Sequence, residues 1–509
     1  MLRGKLATVA WYLAAGFLAI ALTSQSAFSE ETLRVPYLVD IASFDPDNGF
    51  EIGSMSAINN VYEGLVQYKP ETVEIVGRLA KAWEISDDGR RYVFHLVDGV
   101  RFHDGSTLSA ADVAMSFKRR RDGGLALSYF LENVDNIEAV DGLTLKIDLK
   151  RPQPSFLDSL ASPWGPKVIS SKALSEHDIG DKAAGWLNEH ANGTGPYVLT
   201  EFQRGDRYVL KRNEFYWGRK PFFSEVQLPV IPDISQQLLQ LQAGDIDLVP
   251  TGYPFSQLRG IPTSFRIFSA PSVTLYTLFT KAGSPLDDPE IREAVLTAIN
   301  PNDWATDAFG EYAAVAKSIY PRVVLNPERA IVFPTDVERA KEIIARRGPS
   351  TLTIALHSAS PAYQRVAGLL IAQLASIGVE ATAYPLPQGA AFNLKNAASK
   401  PDFLLTIAGP DAAHPENQAK AFYTEEAPLN FFGRSTEAAD HLFEEAGRAI
   451  DIQNRNKLYE KAGQIIFEAG IAIPLVEVND VVVHVEGLQD LGLRPVYPPG
   501  NIDFGSIHR

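Results

Sequence analysis

The side chains that could carry out chemistry are scattered through this 509-residue sequence. The nine histidines include no pair separated by three or four residues, which is the spacing that places two metal ligands on one face of a helix. There is no cysteine, which excludes thiol nucleophiles, disulfides and thiolate metal sites. We therefore expect no metal centre and no cysteine chemistry in this protein.

The glycine-rich and serine-containing segments also lack the common catalytic patterns. Gly193-Thr-Gly195 has neither the third glycine nor the preceding strand that a dinucleotide site requires. No nucleophile elbow and no phosphate-binding P-loop occurs in the sequence. The sequence does not exclude a pair of carboxylates for glycoside hydrolysis, because the fold, and not their separation along the chain, sets the distance between them. The sequence thus favours a binding protein without a cofactor, with a secreted hydrolase or a structural, chaperone-like surface protein as the alternatives.

The composition is that of an ordinary globular protein with more than one core. Hydrophobic residues make up 45% of the chain and charged residues 21%, and a chain of this length exceeds what a single hydrophobic core usually supports. The 47 basic and 62 acidic residues give a net charge of −15. A nucleic-acid partner is therefore not expected, because phosphate binding requires an excess of lysine and arginine on some face.

Residues 1–29 have the pattern of a secretory signal peptide. Two basic residues precede the uncharged apolar stretch Leu6–Leu22, and small residues occupy the −3 and −1 positions of a cut after Ser29. The alternative, a permanent anchor, would usually need about 20 apolar residues, and this stretch has 17. We expect a chain free in the periplasm, since without a cysteine it cannot carry an N-terminal lipid.

The middle of the sequence is rich in strand and turn signals. Tyr92–Val97 alternates in the manner of a half-buried strand, and the Asp98-Gly99 pair that follows predicts a two-residue hairpin. Ser109 and Asp112 have the spacing of a capping box at the start of a helix. Asn192–Tyr197 is a glycine turn that leads into two further strands.

The second half of the sequence alternates between strands and helices. Thr351–Leu356, Tyr363–Ile377 and Val379–Tyr384 have the pattern strand, helix, strand, which predicts a parallel pair. A helix over Asn454–Glu468 leads into a strand at Ile471–Val476. The fold class indicated is α/β, with a hairpin-rich region embedded in the chain.

A set of short sequence blocks resembles one known protein family. In chain order the blocks are Phe44-Asp-Pro46, Val61-Tyr-Glu-Gly-Leu65, Leu79-Ala-Lys-Ala-Trp-Glu84, Val100-Arg-Phe-His-Asp-Gly105, Gly193-Thr-Gly-Pro-Tyr197, Gly244-Asp-Ile-Asp247 and Ile377-Gly-Val379. They resemble the dipeptide, oligopeptide and nickel family (family 5) of solute-binding proteins that serve ABC importers. The blocks follow the order of the family from about residue 32 to the end of the chain.

The resemblance implies a type II periplasmic-binding fold, with two lobes, two hinge strands and an inserted third domain. The implied division is lobe I over 30–65, 185–275 and 477–509, the inserted hairpin-rich domain over 66–184, and lobe II over 276–476. The hinge strands would be Thr274–Lys281 and Pro474–Val483. A solute would bind between the lobes of a monomer, which would deliver it to the membrane permease subunits.

The resemblance also implies a set of ligand-binding residues. Asp411, in register with Pro415, matches the aspartate with which the family binds the α-ammonium of a peptide; taken alone, an aspartate in this position is typical of a turn. Other positions matched by local spacing are Gly409, Phe50, Ile52, Tyr129 (or its neighbour Phe130), Tyr276 and Gln388.

Two positions depart from the pattern of the family. Ile407-Ala408 replaces the usual Gly-Trp ahead of the aspartate, and Leu405 stands near where some members have an arginine for the carboxylate of the ligand. These differences favour an amino-acid derivative of the opine kind or a small saccharide and weaken the case for a simple peptide. The predicted solute is a small polar molecule, either a peptide or an amino-acid derivative such as an opine, and the alternative is an oligosaccharide or a polyol. Nickel is disfavoured because the only thioethers after residue 29 are Met55 and Met115 and the histidines are not clustered.

Overall fold

The computed structural model describes residues 31–49, 54–347, 351–358, 360–387, 389–496 and 498–509. The predicted signal peptide and three of the predicted ligand-binding residues, Phe50, Ile52 and Gln388, lie outside this part of the chain. None of the helices within the described ranges is long and apolar enough to cross a membrane.

The described part of the chain contains both strands and α-helices. The strands are β1 (Thr32–Arg34), β2 (Val66–Tyr68), β3 (Ile75–Gly77), β4 (Ala80–Ile85), β5 (Arg91–Leu96), β6 (Val134–Ala139), β7 (Thr144–Leu149), β8 (Tyr197–Gln203), β9 (Arg207–Arg212), β10 (Glu225–Pro229), β11 (Leu248–Val249), β12 (Phe265–Thr280), β13 (Ala313–Val315), β14 (Thr351–Leu356), β15 (Glu380–Pro385), β16 (Phe403–Ile407) and β17 (Ala472–Val485). The α-helices are α1 (Met55–Val61), α2 (Ala110–Asp122), α3 (Phe156–Ala161), α4 (Ser171–His177), α5 (Ala184–Leu187), α6 (Ile234–Ala243), α7 (Phe255–Leu258), α8 (Pro289–Ala298), α9 (Pro301–Trp304), α10 (Val337–Arg347), α11 (Pro361–Ala375), α12 (Pro415–Phe422), α13 (Glu437–Ala446) and α14 (Ile452–Glu468).

The largest sheet has seven strands, in the order β11-β17-β12-β16-β14-β15, with β13 paired to β17. Its long strands β12 and β17 are antiparallel neighbours, and their register shifts between Ala270 and Thr274. The two predicted hinge segments lie in these strands. Two four-stranded sheets, β1-β10-β9-β8 and β4-β5-β7-β6, stand apart from the large sheet.

The hydrophobic cores follow these sheets. One core is built mainly from residues 33–62, 197–228 and 482–507, a second from residues 65–168, and two more from residues within 276–478. Leu127 and Trp164 pack in the first core, although they lie in the segment predicted to be the inserted domain. The predicted domain boundaries stay a prediction.

Local sequence signals correctly predicted two features of the fold. Asp112 Oδ2 accepts a hydrogen bond from the Ser109 backbone N–H at 2.8 Å, which completes the predicted capping box of α2. β14, α11 and β15 form the predicted strand–helix–strand unit, and the two strands are parallel.

The prediction of a hairpin at Asp98-Gly99 is wrong. β5 pairs with β4 on one side and with β7 on the other, so neither edge is free for residues 100–102. The hairpin turn lies instead at Asp88-Gly89, where Gly89 has φ of 65° and Asp88 Oδ1 accepts hydrogen bonds from Ser86 and Arg90. Both Asp-Gly pairs can form such a turn, and the pairing of the strands selects between them.

The glycine turn before β8 presses against the end of α1, which leads to a stability prediction. A Cβ atom on Gly193 would lie 2.2 Å from the backbone oxygen of Val61. We expect Gly193→Ala to lower the free energy of unfolding by about 1–3 kcal/mol, because the crowded backbone must move. Urea unfolding measures the change. The control is Gly368→Ala in α11, where an added Cβ would meet no neighbouring atom within 4 Å, so the free energy of unfolding should be unchanged or higher. Equal urea midpoints for both variants would contradict the steric argument.

Candidate functional site

The candidate site lies at one edge of the large sheet, where three parallel strands end. β16, β14 and β15 are neighbours and run in the same direction, so their carboxyl ends meet at this edge. His357 directly follows β14, and the segment 408–414 follows β16. Ligands of open α/β sheets usually bind at the carboxyl ends of the strands, so a ligand site is expected at this edge.

The segment after β16 contacts the part of the chain over 66–184. The Ser162 hydroxyl donates a hydrogen bond to the backbone oxygen of Asp411, and the Ala413 N–H donates to the Tyr68 hydroxyl at 2.9 Å. The predicted residue Gly409 is buried within the same segment. Asp411 is therefore held from two sides, by the large sheet and by residues distant in sequence.

The Asp411 carboxylate is the most unusual group of the segment. The Tyr129 hydroxyl donates a hydrogen bond to its Oδ2 at 2.7 Å, so the structure brings two of the predicted site residues together. Burial raises the pKa of Asp411 to about 6, against the smaller lowering effect of the Tyr129 hydrogen bond. Among the described residues, no lysine, arginine or histidine forms an ion pair with this carboxylate.

The two remaining aromatic candidates are buried in hydrophobic cores. Tyr276 lies in β12 and is packed against the rings of Phe309 and Tyr363, with ring centres 5.1 and 5.2 Å away. Phe130 lies in the first core, whereas its neighbour Tyr129 is 41% exposed. Of this neighbouring pair, Tyr129 is the residue that reaches Asp411, and the role of Tyr276 as a ligand contact stays a prediction.

A group of aromatic rings that was not predicted from the sequence lies at the same edge. His357 Nδ1 lies 2.8 Å from the Thr406 hydroxyl, and its ring is close to those of Phe392 and Phe431. Burial lowers the pKa of His357, which favours the neutral ring. Phe392 is 56% exposed and offers a flat apolar surface. The position of His357 directly after a predicted parallel strand was the signal that could have identified it.

A second set of polar contacts joins residues 66–184 to the part of the chain that follows β16. The Ser155 hydroxyl donates to Glu416 Oε2 at 2.6 Å, and Lys420 pairs with the other carboxylate oxygen at 2.7 Å. Burial raises the pKa of Asp158 to about 7, and burial lowers the pKa of His414 to about 4. Asp158, His414 and Glu416 are buried where residues 155–158 meet the start of α12. The contact between these two parts of the molecule therefore depends on polar contacts as well as on apolar packing.

Comparison with known proteins identifies the family. The model of the bacterial extracellular solute-binding proteins, family 5, matches residues 74–429. The chain belongs to this family. The glutathione-binding protein GsiB of Escherichia coli O6:K15:H31 (strain 536) is 27% identical over 495 residues, which cover 94% of this chain and 95% of that protein.

Solved structures with the same fold support the assignment. The periplasmic binding protein DppA of Helicobacter pylori, in complex with the peptide STSA, has a TM-score of 0.79 at 24% identity, with 94% of this chain and 98% of that chain covered. The protein AgaA of A. tumefaciens R10, in complex with agropinic acid, has a TM-score of 0.76 at 21% identity, with the same coverage of both chains. At these identities the likeness shows the fold alone.

Membership of the family confirms several expectations from the sequence. The fold is the mixed α/β fold of family 5 binding proteins, and the protein is a binding protein and not an enzyme. It is an extracellular or periplasmic solute-binding component of an ABC importer for peptide-like or similar small solutes. The division into domains and the ligand-binding residues stay predictions.

Proposed function

We propose that this protein is the periplasmic receptor of an ABC importer for a small solute that carries a protonated amine. A peptide or an amino-acid derivative such as an opine fits this description. The receptor captures the solute between its lobes and delivers it to the membrane permease. The named relatives support this class of solute, since they bind glutathione, a peptide or agropinic acid.

The observation that carries the proposal is the Asp411 carboxylate. It is half-buried, receives a hydrogen bond from Tyr129 and has no cationic partner among the described residues. An ammonium group in the cleft would supply the missing partner through a charge-assisted hydrogen bond, which is strongest away from bulk water. The charge of the site therefore selects a cationic group on the solute.

Leu405 and Ala408 bear on the rest of the solute. Both side chains are fully buried, so neither offers a polar contact to a bound molecule. A carboxylate of the solute would have to be bound elsewhere, which permits compounds that differ from simple peptides. A receptor for an oligosaccharide or polyol is the second candidate, because the exposed rings of Tyr129 and Phe392 could stack on sugar rings.

Native mass spectrometry of the protein purified from its own periplasm tests the proposal. We expect one small molecule per chain, released unchanged, with a basic nitrogen in its formula. After unfolding, removal of the solute and refolding, adding the molecule back should decrease the radius of gyration in small-angle scattering, because ligand stabilises the closed state. A neutral polyol would favour the second candidate, whereas conversion of the molecule to a product would contradict the receptor role.

A further inference from the structure

We infer that a small monovalent anion such as chloride binds in a buried cavity between Lys167, Arg78 and Arg494. The cavity has a volume of about 20 Å³ and lies where the end of α1 meets residues 161–167 and the C-terminal segment. This space suffices for one species of the size of a water molecule or a halide ion, and is too small for an organic solute. Asp411 does not line this cavity, although Ser162 contacts both Lys167 and Asp411.

Lys167 supplies the first argument. Its side chain is buried, with the residue only 6% exposed, and its ammonium donates a hydrogen bond to the Ser162 backbone oxygen at 3.2 Å. No carboxylate of the described residues pairs with it. Burial lowers the pKa of Lys167, and nearby Arg120, Arg494 and Arg78 lower it further. A buried ammonium in such surroundings needs a counter-ion or must lose its proton.

The carboxylate of Glu63, which also lines the cavity, is already fully hydrogen-bonded. Four donors bind its two oxygens, each at 2.5–2.9 Å: Arg78 Nε, Thr194 Oγ1, Tyr216 OH and Trp217 Nε1. A carboxylate has about four lone-pair positions, so Glu63 has none left for Lys167. The negative charge of this carboxylate is balanced by its ion pair with Arg78, and it forms no ion pair with Lys167.

Arg494, which also lines the cavity, supplies a free donor. The residue is 8% exposed, and its Nη2 donates to Asp503 at 2.9 Å. Its Nε is buried and has no hydrogen-bond partner among the described residues. A buried guanidinium N–H without an acceptor is costly, and an anion in the cavity next to it would satisfy the donor.

The charges in this region do not balance, which sets the charge of the missing partner. Five cationic side chains and four carboxylates lie in the connected cluster, leaving one excess positive charge. The cations are Arg78, Arg119, Arg120, Lys167 and Arg494, and the carboxylates are Asp45, Asp47, Glu63 and Asp503. One monovalent anion restores neutrality and accepts hydrogen bonds from the donors that lack partners.

Anion-dependent stability tests the proposal in the intact protein. Replacing chloride with gluconate, which is too large for the cavity, at constant ionic strength should lower the thermal unfolding midpoint of the wild type by about 2–4 °C. Lys167→Met removes the excess charge at nearly the same side-chain length, so its midpoint should not depend on chloride. The matched control Lys172→Met removes an exposed amine in α4 and should retain the dependence of the wild type.

Bromide provides a direct probe that does not require a variant. Crystals of the wild type grown in bromide should show an anomalous scattering peak between Lys167 Nζ and Arg494 Nε. Equal midpoints in chloride and gluconate would overturn the proposal and leave Lys167 as a neutral amine. A chloride dependence that persists in Lys167→Met would also overturn it, as would a bromide peak without any effect on stability, which would identify an adventitious ion only.

Discussion

Arg119→Met should lower the free energy of unfolding by about 3–5 kcal/mol, because it leaves a buried carboxylate without its cation. Arg119 Nη1 and Nη2 donate to the two oxygens of Asp45 at 3.0 and 2.8 Å, and Nη1 also contacts Asp47. The side chains of Arg119 and Asp45 are almost completely buried. This pair joins the turn after residue 44 to α2. Its loss therefore destabilises the contact between these two parts of the molecule.

Arg121→Met is the matched control, since it removes the same charge from the same helix. Arg121 pairs with Asp122, whose side chain is 57% exposed, and exposed ion pairs contribute less than about 1 kcal/mol. Urea unfolding should thus separate the two variants clearly. In a double-mutant cycle, Asp45→Asn should recover part of the loss in Arg119→Met, because no unpaired charge is then left buried. Equal losses for Arg119→Met and Arg121→Met would contradict the argument.

Features set by neighbouring residues could be predicted from the sequence. The capping box of α2 depends on Ser109 and Asp112, and the parallel unit of β14 and β15 depends on the alternation within residues 351–385. In each case the deciding interactions are local, so a short window of sequence contains the required information.

Features set by distant residues could not be predicted in the same way. The hydrogen bond between Tyr129 and Asp411 joins positions 282 residues apart, and only the family resemblance placed both residues at one site. The prediction of a hairpin at Asp98-Gly99 failed because β7, from another part of the chain, occupies the edge of β5. The buried ammonium of Lys167 has no sequence signal, since burial depends on the packing of three separate segments.

Asp411→Asn should weaken binding of the native solute at least about tenfold, as measured by titration calorimetry with the molecule identified from the periplasm. A hydrogen bond to a charged group typically contributes about 1.5–3 kcal/mol, and each 1.4 kcal/mol is about tenfold in Kd. Asparagine retains the shape and can still accept the hydrogen bond from Tyr129, so the substitution removes mainly the charge. The control Asp307→Asn makes the same charge change at an exposed position and should bind like the wild type.

The pH dependence gives a second, independent readout of the same carboxylate. Burial raises the pKa of Asp411 to about 6, so in the wild type the affinity for an ammonium-bearing solute should fall as the pH drops through 6. The affinity of Asp411→Asn should not show this fall. Without ligand, the raised pKa means that ionisation destabilises the wild type as the pH rises from about 4 to above 6. The ligand-free variant should therefore be at least as stable as the wild type at neutral pH.

The combined results separate a binding role from a structural one. Unchanged affinity in Asp411→Asn would contradict the ammonium contact and favour a neutral polyol bound by hydroxyl groups and by the rings of Tyr129 and Phe392. A large loss of stability in the ligand-free variant would instead show that Asp411 mainly maintains the turn before Pro415. Weakened binding with intact stability and a lost pH dependence is the outcome we expect, because the carboxylate is paired with a hydroxyl, not a cation, in the described structure.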